Sequence, residues 1–190
     1  SSSDSASGSL FMMSGSAAKS GDITLATGDS TVATAGGLSM LVGSSAKEKG
    51  GLINIDGGNS SGISKSGGDI HVRAGASSQI DGGFGGKLKL EGGFSSGAHS
   101  VGSDFAGGEA ILSAGGAHGG PGGPVRLHGG SSRRTTGGDI ILASGDSQLT
   151  SSGNINIFTR NTAASGTSGY LSLNTGTSSG GNSGFFLLST

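Results

Sequence analysis

One pattern of apolar and polar positions runs the length of the chain: Gly, any residue, apolar, any, apolar, any, any, Gly. It begins at Gly8, Gly21, Gly36, Gly51, Gly68, Gly86, Gly108, Gly123, Gly138, Gly153, Gly169 and Gly184, which makes 12 copies. The commonest interval is 15 residues and the longest, from Gly86 to Gly108, is 22. The third and fifth positions are apolar in every copy. The clearest pairs are Ile23 with Leu25, Ile53 with Ile55, Ile70 with Val72, Leu88 with Leu90, Val125 with Leu127, Ile140 with Leu142, Ile155 with Ile157 and Leu171 with Leu173.

Apolar residues two apart lie on one face of an extended segment, and large aliphatic and β-branched types suit a half-buried strand. The bracketing glycines mark sharp corners. No stretch shows helical spacing, so no helix is predicted. The second half of each copy is polar, and its second residue after the corner is small: Ser30, Ser45, Ser60, Ser77, Ser132, Ser147 and their equivalents. That regularity predicts a small inward side chain facing the aliphatic pair.

A five- or six-residue strand cannot bury a face alone. An interval of 15 residues is too short for a pair of strands with two hairpin turns, and every copy is equivalent. The expected fold is therefore all-β: a single-domain parallel β-solenoid over residues 1–190, with about 12 short coils of 15–16 residues. Each coil would stack about 4.8 Å above the last, and the aliphatic pairs would form its core ladder. Stacking also predicts compatible outer charges. Asp56, Arg73 and Glu91 occupy the same sixth position in three successive copies and alternate in sign, as an outer charge ladder would.

The 22-residue interval places an insertion at 94–107, around Phe94, His99 and Phe105. An insertion confined to one repeat is a candidate contact loop. Both ends keep the plain repeat without a capping segment. This predicts either a slice of a longer array or subunits that join end to end.

Composition narrows the function. The chain holds 43 Gly and 37 Ser, only 12% charged residues and no Cys. Gly/Ser richness alone would suggest a disordered linker, and the periodicity argues against that. The net charge of −1 provides no electrostatic footprint for nucleic acid. The longest apolar runs, Leu10–Met13 and Phe185–Leu188, are far short of the roughly 18 residues of a membrane span.

Candidate chemistry is sparse. Gly-x-Ser-x-Gly occurs at Ser60, Ser95 and Ser178, always at the same point of the repeat, so it reads as architecture rather than a unique nucleophile. His71, His99, His118 and His128 lack metal-ligand spacing. The 12 carboxylates are scattered. No catalytic residue, metal site or cofactor is expected. Asn59-Ser60-Ser61 is a candidate glycosylation sequon.

The copies Gly21–Ser30 (GDITLATGDS) and Gly138–Ser147 (GDIILASGDS) resemble the Gly/Ser-rich β-solenoid repeats of large extracellular and cell-surface structural proteins of algal or protist type. The resemblance implies an extracellular or cell-surface setting. With the repeat, it leads to the expectation of a structural protein, a subunit or segment of an extracellular filament built by self-association. The alternative is a binding module (adhesin, glycan- or ice-binding) that uses a flat face. The expected partners are further copies of the chain and, on the second reading, glycans.

Overall fold

The computed structural model describes residues 7–78, 82–96, 106–162 and 165–189. Contacts divide the chain into two units, Ser1–Leu90 and Glu91–Thr190. Both follow the same local plan. Each Gly-to-Gly segment of the repeat runs without a bend and forms an arm, for example 138–145. Loops with a tight bend join arm to arm where their tips are described. Such bends fall at 17–19, 31–33, 46–48 and 62–64 in the first unit and at 118–120, 133–135, 148–150, 165–166 and 179–181 in the second.

The corner glycines draw the two ends of a loop together. At six junctions the amide of the Gly that opens an arm donates to the carbonyl of the Gly that closed the previous one. In the first unit, Gly68 N donates to Gly58 O and Gly86 N to Gly75 O, both at 2.8 Å. In the second, Gly108 N donates to Gly93 O at 2.8 Å, Gly123 N to Gly115 O at 2.9 Å, Gly138 N to Gly130 O at 2.8 Å and Gly153 N to Gly145 O at 2.9 Å. At two of these necks the backbones approach so closely that only glycine fits. A Cβ on Gly57 would lie 2.6 Å from Gly68 O, and one on Gly108 would lie 2.7 Å from Gly93 N.

The loop tips have a second device. Ser30 Oγ accepts from Ala33 N at 3.1 Å, Ser45 Oγ from Glu48 N at 3.0 Å, Ser132 Oγ from Thr135 N at 3.0 Å and Ser147 Oγ from Thr150 N at 3.0 Å. A hydroxyl that bonds a backbone amide three residues on folds the chain into a local turn. The small residue after the corner is thus a turn acceptor in these loops, and the inward-facing core role expected of it is not observed.

The expected β-solenoid is not formed. Among the described residues there is no β-strand and no helix. The hydrogen-bond register gives the reason. A stacked coil would bond residues one full interval apart, such as Gly138 and Gly153. Instead Gly153 bonds Gly145, the end of the arm immediately before it. A single such bond closes each of the six necks, and a strand pair needs a continuing ladder. The descriptions β-solenoid and β-helix therefore do not fit this chain.

The core ladder of such a coil is absent too, since no described residue is buried. In the first unit its expected members Ile23, Leu25, Ile53, Ile55, Ile70, Val72, Leu88 and Leu90 are all exposed. In the second unit so are Val125, Leu127, Ile140, Leu142, Ile155, Ile157, Leu171 and Leu173. Without a neighbouring coil bonded a full repeat away, nothing lies over these side chains to cover them.

Candidate functional site

The arms retain the face alternation of an extended chain, and this creates the main surface feature. Along 140–142 the exposures are 55% for Ile140, 82% for Ile141 and 65% for Leu142. In this arm the third and fifth positions share the more sheltered side, but neither is covered. The corresponding pairs, from Ile23 with Leu25 to Leu171 with Leu173, are uncovered in the same way. An aliphatic pair is presented in repeat after repeat.

Loop length does not disturb the presentation. Seven residues separate Gly130 from Gly138 and 14 separate Gly93 from Gly108, yet both necks close with a 2.8 Å bond. In the first unit a side chain assists: Thr27 Oγ1 donates to Gly36 O at 3.0 Å. Val42 lies directly over Gly51, the first residue of the next arm.

The other expected site residues are dispersed. Asp56 accepts from Asn54 Nδ2 of its own arm at 2.9 Å. Arg73 shares an open hollow of about 530 Å³ with His71 and Val72. A second hollow, about 400 Å³, is lined by Phe158, Thr159, Arg160 and Asn161. Each is lined by consecutive residues, so neither brings groups from different repeats together. His71 Nε2 stands 3.9 Å from Asp69 Oδ2, and both side chains are exposed. Glu91, Phe94 and Asn59 are exposed as well. His99 and Phe105 lie outside the described residues. Among the described residues, no three His, Asp or Glu side chains converge to hold a metal ion. None of those residues belongs to a helix long and apolar enough to cross a membrane.

Sequence reasoning missed the hydroxyl role of the loop serines. The available signal was composition. Of the 11 residues at that position, nine carry a hydroxyl and only Ala17 and Ala117 do not. A requirement for small size alone would not favour Ser over Ala.

The chain matches no protein-family model, no curated protein and no solved structure.

Proposed function

We propose that this is a structural protein, a self-associating subunit or segment of an extracellular filament or fibre. The observation that carries the reading is the set of equivalent aliphatic pairs left uncovered in successive arms. Monomeric proteins rarely leave large contiguous apolar surface in water, and such surface marks interaction sites. A surface that recurs with the repeat suits a partner that recurs too.

The style of the repeats Gly21–Ser30 and Gly138–Ser147 favours the extracellular setting. Electron microscopy of the native material tests the proposal. Filaments are expected, and dispersed single molecules at high concentration would overturn it.

A further inference from the structure

We propose that the arginine-bearing stretch 110–138 of the second unit binds an anionic polysaccharide, gripped by Arg133 and Arg134 at a loop tip and by Arg126 in the preceding arm. The contact uses charged side chains rather than the aliphatic pairs behind the self-association reading, so either can fail alone.

Charge distribution is the first observation. The whole chain has a net charge of −1, but no Asp or Glu occurs between Glu109 and Asp139. Within that interval stand three of the chain's five arginines and no lysine, a formal charge of +3. A local excess of one sign attracts a polyanion even where the total charge is near zero. The three side chains are exposed. Among the described residues, none of their guanidinium groups has a hydrogen-bond or ion-pair partner.

The loop that carries two of them is held in shape. Gly138 N donates to Gly130 O at 2.8 Å and closes its neck. Ser132 Oγ accepts from Thr135 N at 3.0 Å and from Arg134 N at 3.3 Å, which fixes the bend at 133–135. Two guanidinium groups therefore stand on consecutive residues of a preformed turn, so less order is lost when they engage a ligand. Arg126 is eight residues from Arg134, no more than about 27 Å of extended chain. One flexible polymer can reach all three.

Residue type selects the ligand. Guanidinium is planar, permanently charged and matches the oxygens of a sulfate or carboxylate with paired hydrogen bonds. The other side chains of the tip, Ser131, Ser132, Thr135 and Thr136, are hydroxyls that can bond the hydroxyls of a sugar. Single-stranded nucleic acid is held by aromatic stacking as well as by charge, and no aromatic residue lies between Phe105 and Phe158. Membrane anchoring calls for apolar insertion beside the charges, and the loop 131–137 has no apolar side chain.

Binding of the 190-residue chain to immobilised polysaccharide at fixed ionic strength tests this. Dextran sulfate and polygalacturonate are the anionic probes. Uncharged dextran and single-stranded DNA are the comparisons. A variant carrying both R133Q and R134Q strips the tip. A control carrying both K47Q and K49Q removes the same charge around the bend at 46–48 of the first unit. All four positions are exposed, so neither variant disturbs packing. Wild type and control are expected to bind at least one anionic probe alike, more weakly as salt rises, and to ignore dextran. The arginine variant is expected to lose roughly tenfold or more in affinity. Adding R126Q should deepen the loss; no further change would overturn the part given to Arg126. The preferred probe tells whether sulfate or carboxylate is the group recognised. Three results would overturn the proposal: no binding to either anionic probe, equal loss in the arginine and lysine variants, or single-stranded DNA bound as tightly as the better polysaccharide.

Discussion

The amide of Gly108 donates to the carbonyl of Gly93 at 2.8 Å across the longest loop in the chain. The insertion therefore begins and ends at the same point in space as a standard loop. This contact predicts the effect of a single methyl group. A Cβ on Gly108 would stand 2.7 Å from Gly93 N, a backbone atom that cannot swing aside as a side chain would. On neighbouring Gly107 the nearest atom would be Gly93 O at 3.6 Å, an ordinary contact. Gly108→Ala is expected to open the neck at a cost of about 1–3 kcal/mol. Amide hydrogen exchange at position 108 should accelerate roughly tenfold or more. Gly107→Ala should leave it unchanged. Equal exchange in the two variants would refute the neck.

The loop serines make a separate prediction. Ser147 Oγ accepts from Thr150 N at 3.0 Å and from Leu149 N at 3.4 Å, and lies 3.0 Å from Thr150 Oγ1. Ser147→Ala removes the acceptor and should weaken the turn by about 1 kcal/mol. Ser147→Thr keeps the hydroxyl and should retain most of it. Exchange of the Thr150 amide reads the difference. An alanine variant as protected as wild type would show that the residue serves only by being small.

Periodicity made the repeat and its corner glycines legible, and in the arm 138–145 the phase of the aliphatic pair. Ile140 and Leu142 are indeed more sheltered than Ile141 between them. What periodicity could not settle was the partner of each arm. Copies at a 15-residue interval are equivalent whether Gly153 bonds Gly138, a full repeat back, or Gly145, the near end of the preceding arm. Equivalence constrains composition, whereas hydrogen-bond register depends on how the loop returns. The loop returns early because the glycines allow close backbone approach and the serine turns reverse the chain locally. The burial expected of Leu25, Ile55, Leu127, Ile157 and Leu173 fails for the same reason: it depended on a coil stacked one repeat away. The short-range contacts that replace it bear on Ser147 and Gly145, positions a search for a core reads only by size.

One backbone feature, in the loop between Gly58 and Gly68, stores strain. Lys65 N donates to Gly62 O at 3.2 Å, closing a four-residue turn, and Ser64 within it has φ 56°. A positive φ at that third residue ordinarily calls for Gly, because a Cβ crowds the neighbouring carbonyl. Ser64→Gly relieves the crowding but loosens the unfolded chain, so the net gain should be about 0.5–1 kcal/mol. Slower exchange of the Lys65 amide by a few-fold is expected. Faster exchange in the glycine variant would mean that the serine side chain itself holds the turn.

Val42 and Gly51 allow a test by paired substitution. A Cβ on Gly51 would overlap Val42 Cγ1, the side chain that lies over it at the junction between two arms. Valine is stiff about χ1 and cannot swing its methyl away freely. Gly51→Ala alone should therefore push the arms apart, at a cost of about 1–3 kcal/mol. Val42→Ala alone removes one side chain from an already exposed position and should cost little. In the double variant the added methyl occupies the vacated space, so the two effects should not add. A coupling of about 1 kcal/mol or more is expected, read from the exchange of amides between 42 and 51. Strict additivity would mean that residues 42 and 51 are not in contact in solution. The junction would then have to be held by other groups, and the early return of the chain at this loop would lose its local explanation.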